Sequence, residues 1–507
     1  MTLAGPDRVV AGAPAGTGAQ AGAGAESAGT AAQGSVPASR LVCAGCGAAV
    51  AADQSFAARC PAAHPADDTD HVLRRVLDPA AVDRHPDPDP NPFVRYRTRL
   101  HAWHMARAAR WSDERFVQLV RELDDAIARV DGHGFRATPI VRSASLDRQL
   151  GFSPAGGVWV KDETGNVSGS HKARHLMGVM LGLRVAEDLG MADPAAPLAI
   201  ASCGNAALAA AVVARAAGRR LLVFVPPSAE APVLERLRSL EAELEVCERQ
   251  PGQAGDPTYH RLLAAIAAGA VPFTVQGNLN GHTIEGGATL GWELIDQLPD
   301  HASALDRLVV HVGGGAFASA QALAFEDAWS VGLIDRWPRF DTVQTQGGFP
   351  LARAHALVLD RLGVAAGEAV APDVVETGLR EIAAHRSAYM WPWETEPHSL
   401  AHGILDDETY DWLAVVRAML LTGGRSVVVD EADIEAANRL ARPDLGIDAD
   451  HTGTAGLAGL MTLTRDGLVG ADETVAVIFS GVRRSSGAGS AAAGAPGPRS
   501  GGGEETP

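Results

Sequence analysis

Apolar residues recur along this chain in short unbroken runs more than in alternation. Runs at 158–163, 198–202, 221–225, 244–247, 273–276, 308–312, 342–344, 427–429 and 475–479 predict strands buried on both faces. Helical patterns fill most of the gaps between them. Buried strands separated by helices predict parallel sheets covered on both sides. There are too many for one comfortable sheet. The expected fold class is therefore α/β, with two open parallel-sheet subdomains and a cleft between them, over residues 135–484.

Upstream the pattern changes. Residues 67–134 read as a linker followed by helices at 94–110 and 112–130, the second opened by Ser112 and Asp113 as cap and first-turn residues. Residues 1–40 and 485–507 are Ala/Gly-rich without periodicity and are expected to be disordered tails. Residues 41–66 carry a cysteine/histidine cluster that predicts a small zinc-knuckle-like module.

At 507 residues the chain can bury more than one core. Its composition, 46% hydrophobic and 21% charged, is ordinary for a soluble globular protein. A net charge of -18 without a long basic run argues against nucleic acid or an anionic membrane as partner. No apolar run reaches the length of a membrane-spanning helix, and the first residues lack the charged-then-apolar order of a secretory signal. Five cysteines in so long a chain do not make a disulfide framework, so a reducing cytoplasm is expected.

Candidate chemistry collects at four strand ends. After the run at 158–163 a Gly/Asn/Ser turn leads to Lys172, which opens a helical run at 172–189. A lysine there stands beside backbone N–H groups that favour an anion, and it can be desolvated enough to act as a nucleophilic amine. A Schiff base with a phosphorylated aldehyde needs both properties. After 198–202 comes Ser202-Cys203-Gly204-Asn205 and an Ala-rich helix. Free N–H groups in that loop suit a carboxylate, and the Asn205 amide suits a ring hydroxyl. The same residues also make an ordinary strand-to-helix turn.

After 308–312 stands Gly313-Gly314-Gly315-Ala316. Three glycines opening a helix let the backbone approach a phosphate. The spacing is neither G-x-G-x-x-G nor that of a Walker loop, so a lone phosphate on a small cofactor fits better than a dinucleotide. After 475–479, Ser480 places a hydroxyl that could bond a ring nitrogen without forcing its protonation.

In this order the four motifs resemble the fold-type II pyridoxal-phosphate enzymes of the tryptophan-synthase-β superfamily, and among them the threonine synthase-like proteins. The resemblance covers about residues 135–484 and implies roles. Lys172 would hold the cofactor and move the substrate's α-proton. Asn205 would bond the cofactor's phenolic oxygen, Gly313, Gly314, Gly315 and Ala316 would cradle its phosphate, and Ser480 would face the pyridine nitrogen. Ser202, Cys203 and Gly204 would take the carboxylate of a small amino-acid substrate.

The segment 277–286 resembles a threonine-synthase segment, in which Glu285 would be a cleft residue or a helix cap. A lyase or synthase is implied, by β- or γ-elimination or replacement, most like threonine synthase; a serine/threonine dehydratase or ammonia-lyase, a β-replacement synthase and a non-catalytic binding relative are the alternatives. A homodimer is also implied.

The chain departs from the pattern at three places. His171 before the lysine is more like tryptophan synthase β than like threonine synthases, and it could reach the cofactor phosphate. Cys203 replaces the usual serine or threonine; an inert buried thiol is the plainer reading. Residues 390–402 match no threonine-synthase segment and read either as a substrate lid, with His398 and His402 as contacts, or as irregular surface. A second, substrate phosphate would need further cations, for which Lys161, Arg174 and His175 are the nearby candidates.

The spacing Cys43-x2-Cys46 with Cys60-x3-His64 supplies three thiolates and an imidazole, a donor set for structural zinc; His71 competes for the last place. The surrounding Ala-rich segment has little apolar bulk of its own, so metal would supply its folding energy.

Overall fold

The computed structural model describes residues 38–53, 56–64, 66–249 and 255–484. Both expected tails fall outside these residues except at 38–40, where strand structure has already begun. A small antiparallel sheet of order β2-β1-β3 comes first: β1 (Ser39–Cys43), β2 (Ala49–Ala51) and β3 (Leu73–Leu77). Neither its short polar strands nor its core of Leu41, Cys43, Val50, Cys60 and Leu73 produced a readable apolar run.

The strands that follow are β4 (Ile140–Arg142), β5 (Gly157–Asp162), β6 (Leu198–Ala201), β7 (Leu221–Val225), β8 (Glu243–Val246), β9 (Val271–Pro272), β10 (Arg307–His311), β11 (Arg339–Thr345), β12 (Ser426–Val429) and β13 (Thr474–Phe479). They form the two open sheets expected. One has the order β12-β11-β10-β13-β5-β4, the other β8-β7-β6-β9. All neighbours in them are parallel except β4, which runs against β5 as an exposed edge. Parallel order puts every carboxyl end of a sheet on one side. Because β10, β13 and β5 are adjacent, the glycine turn, Ser480 and the Lys172 turn lie side by side.

Two predicted elements differ. Residues 273–275 are buried but not strand: β9 ends at Pro272, and Phe273 keeps one last bond to the Ala199 carbonyl at 2.8 Å before its ring enters the core. Burial, not sheet pairing, made that run apolar. The predicted helix 94–110 is broken into Pro92–Arg95, a 3-10 turn at Arg97–Arg99 and His101–Ala108. The break comes from tertiary structure. Glu285 accepts the backbone N–H of His101 at 2.5 Å and so caps the last piece, while the Arg99 guanidinium lies 3.4 Å over the Trp292 ring. No helix among the described residues is long and apolar enough to cross a membrane.

The helix Lys172–Asp188 is buried along most of its length and crosses Thr283–Gln297 at glycines. A side-chain carbon on Gly178 would come within 2.7 Å of the Gly286 Cα. One on Gly286 would strike the Arg174 carbonyl.

A closed charge network locks this crossing. Lys161 Nζ donates to Glu293 Oε2 at 2.7 Å, to the Thr138 carbonyl at 2.7 Å and to Gln297 Oε1 at 2.8 Å. Arg174 forks onto Glu163 at 2.9 and 3.0 Å and onto Glu293 at 2.6 and 3.1 Å. Two cations face two carboxylates, all essentially without solvent contact. The network holds the carboxyl end of β5 and the first turn of the Lys172 helix in one geometry.

Candidate functional site

Hydrogen bonds and one ring stack tie the four strand ends together. Ser480 Oγ accepts the His171 backbone N–H at 3.1 Å and pairs with His171 Nδ1 at 2.5 Å. The His171 ring stacks on Phe317, centroids 3.9 Å apart, directly below the glycine turn. Arg484, just beyond Ser480, donates to Asn205 Oδ1 at 3.2 Å and to the Ser168 carbonyl at 2.8 Å. The Asn205 turn is thereby joined to the Lys172 turn.

Lys172 is half-buried. Burial pulls its ammonium below the usual lysine range, partly offset by Asp406. His171, His175 and His311 surround it as neutral imidazoles, depressed first by burial and then by the Lys172 charge, the latter two to about 3. His171 Nε2, His175 Nε2 and both His311 nitrogens have no partner. The sequence contains two lysines, Lys161 and Lys172. Since Lys161 is consumed by its network, Lys172 is the one lysine left to offer an amine to a ligand.

The glycine turn needs its glycines. Gly315 has φ +94°, a left-handed conformation, and caps the helix Ala316–Ser330. A side-chain carbon on Gly313 would lie 2.5 Å from Asp406 Oδ2, and one on Gly315 2.8 Å from the Thr409 methyl. No sequence motif marks the segment that makes these contacts. Its only sequence signal is the acidic run 406–411 that follows the unplaced segment 390–402.

Other expectations are corrected, or decided where two readings stood open. Lys161 and Arg174 are locked in the buried network and cannot hold a substrate phosphate. His175 is fully buried with Nδ1 2.8 Å from the Thr283 carbonyl. His398 and His402 are exposed and contact no candidate site residue; the segment around them is irregular. Glu285 is a cap, not a cleft residue. Cys203 is exposed at the strand end, so the buried-thiol reading falls.

At the amino end, Cys43, Cys46, Cys60 and His71 place one donor atom each within 4.8 Å of one another, a set that could hold a metal ion. The expected fourth ligand, His64, is exposed and spends its Nδ1 on the Ala66 N–H at 3.2 Å. Strand pairing explains the exchange. Cys43 of β1 stands opposite Leu73 of β3, which brings His71 Nδ1 to 3.5 Å from Cys43 Sγ. Asp67 holds the other ring nitrogen at 3.0 Å, as outer carboxylates do for metal-ligating histidines.

Asp411, 2% exposed, accepts the Gly277 N–H at 3.1 Å, and burial pushes its carboxyl up to about 7 from 3.8. The folded state thus binds this proton more tightly than the unfolded one. The resulting stability is full below about pH 4 and is lost as pH rises through about 7. Asp411→Asn should gain on the wild type by up to a few kcal/mol between about pH 4 and about pH 7, read from urea midpoints across that range.

The two-sheet frame is that of fold-type II pyridoxal-phosphate enzymes. It matches maize serine racemase with TM-score 0.51 at 20% identity, over 72% of this chain and 94% of that one. It matches the processed form of threonine deaminase isoform 2 from Solanum lycopersicum with TM-score 0.51 at 17% identity, over 74% and 91%. A model of the "Pyridoxal-phosphate dependent enzyme" family matches residues 133–481, more than half of the chain, and the chain belongs to that family. Threonine synthase of Methanosarcina acetivorans is 26% identical over 367 residues, 68% of this chain and 74% of that protein. That of Methanocaldococcus jannaschii is 25% identical over 345 residues, 68% and 74%.

The residues present fit the cofactor: a lone available amine, a glycine turn that no side chain could share, and buried ring nitrogens without protein partners. Asp406, whose Oδ2 stands 2.5 Å from where a side-chain carbon on Gly313 would lie, is an acidic group set against that turn.

Proposed function

We propose that the chain is a pyridoxal-phosphate-dependent lyase or synthase acting on a small amino acid, most like threonine synthase. The observation that carries this reading is Lys172, the one lysine free to act, at the junction of glycine turn, Ser480 and Asn205. Bound pyridoxal phosphate supplies a conjugated ring that draws off the charge left by the departing α-proton. Every other part belongs to the chain. The N–H groups of Gly313, Gly314, Gly315 and Ala316 hold the phosphate at the start of their helix. Asn205 bonds the ring hydroxyl.

Ser480 accepts from His171, N–H and ring alike when Nδ1 carries the imidazole proton, and keeps its own proton for the ring nitrogen. Ser202, Cys203 and Gly204, at the start of the helix Asn205–Ala216, orient the substrate carboxylate. Lys172 Nζ, whose hold on a proton is weakened by burial, takes the α-proton and returns it to the carbon chain or leaving group.

The threonine synthase relatives support γ-chemistry on a phosphorylated substrate. One observation favours a second reading, elimination from an unphosphorylated hydroxy amino acid: Lys161 and Arg174, the cations the sequence offered for a second phosphate, are spent on Glu163 and Glu293. Mixing the yellow protein with phosphohomoserine, serine and threonine separates the two by which one changes the visible spectrum and releases product. If no amino acid does either, the enzyme reading is wrong.

We also propose structural zinc at Cys43, Cys46, Cys60 and His71. His71→Ala should weaken zinc binding by at least about 10–100-fold, the loss seen for partners one shell further out, whereas His64→Ala should leave it unchanged. Competition with a colorimetric chelator measures both.

A further inference from the structure

The segment 403–411 lies across the glycine turn as a strap. Gly403 N–H bonds Thr452 Oγ1 at 2.9 Å at one end. At the other, the Thr409 hydroxyl donates to the Gly313 carbonyl at 3.0 Å and the Asp411 N–H to the Gly314 carbonyl at 3.0 Å. Tyr410 packs its ring on Gly314, and Asp411 its side chain on Gly315. Between these anchors the Asp406 carboxylate is set against the glycine turn, its Oδ2 2.5 Å from where a side-chain carbon on Gly313 would lie and 3.6 Å from one on Gly314, and it faces the charge of Lys172. An N–H at a helix-opening glycine turn, together with a lysine, is the donor set a phosphate oxygen would use. The Asp406 carboxylate stands against that turn already.

The strap is tied down from outside. Glu408 pairs with Arg386, and Arg386 lies 3.3 Å from Asp70, the residue before His71. The Arg386 and Ser387 N–H groups are held by Asp68, and the Asp70 N–H by the Ala383 carbonyl. The chain Asp70–Arg386–Glu408 therefore runs from the Cys/His module to the strap.

We propose that Asp406 is a resident occupant of the phosphate seat, held there by the 403–411 strap, and that a phosphate binds by displacing it. This rests on reading the glycine turn as the phosphate seat. Two like charges cannot share one N–H cradle, so each phosphate bound expels one carboxylate. Asp406 thus sets how tightly and how fast the site loads. The Glu408–Arg386–Asp70 tie sets how freely the strap lifts.

The test uses the full chain stripped of cofactor, as wild type, Asp406→Asn and Glu408→Gln, each checked for a cooperative melt. Affinity for inorganic phosphate is measured by calorimetry, and the growth of visible colour is timed after adding pyridoxal phosphate. Asp406→Asn should bind phosphate at least about tenfold more tightly and colour faster. Glu408→Gln, which keeps the carboxylate and loosens the tie, should colour faster to a smaller degree, and it decides the matter if Asp406→Asn does not fold. Equal affinities and rates in all three proteins, or weaker binding by Asp406→Asn, overturn the proposal. Tighter phosphate binding with no colour in any protein leaves the strap standing and removes the cofactor reading.

Discussion

Lys172→Ala is expected to give a folded, colourless protein whose turnover falls by at least about 10²–10⁴-fold, the range for loss of a positioned general base. The size of the effect follows from the absence of a substitute. Lys161, the other lysine of the sequence, has all three ammonium hydrogens committed to Glu293, Thr138 and Gln297. Arg174 cannot act as a base at any accessible pH. The neutral histidines around Lys172 can accept a proton but cannot hold an aldehyde carbon as a primary amine does. An absorption spectrum and a turnover assay on one preparation check both halves. Retained colour with lost turnover would mean that the cofactor is held elsewhere.

Arg174→Met should cost about 3–5 kcal/mol of stability, the usual result of removing one partner from a buried charge cluster. With the guanidinium gone, Glu163 and Glu293 face each other across a dry crossing with Lys161 as the one remaining cation. Glu163 directly follows β5, and Arg174 is two residues past Lys172. The disturbance therefore passes directly into the lysine's position. Arg174→Lys keeps the charge and loses the two-sided fork, so it should fall between wild type and methionine. Guanidinium unfolding of the three proteins gives the order. Equal midpoints for methionine and arginine would show that the crossing relaxes without the cation.

The parallel sheets were legible because a strand covered on both faces is apolar through its middle, as Leu308–Val310 of β10 and Val475–Phe479 of β13 show. The four strand-end motifs were legible for a related reason: each lies within a few residues of such a run. What escaped is set by tertiary partners distant in sequence. His71 displaces His64 only because β3 pairs with β1. The helix break at Leu100 needs Glu285, far along the chain. The strap is irregular backbone without periodicity, and its contact with Gly313 cannot be read from either segment alone. Lys161 and Arg174 looked like free cations until burial supplied their carboxylates.

The central claim is that Lys172 carries the cofactor. Reducing the yellow protein with borohydride and mapping the modified peptide by mass tests it most directly. A single pyridoxyl group on the peptide containing Lys172, with Lys161 unmodified, is the predicted result. A label on Lys161, on the terminal amine, or on no peptide at all would contradict it.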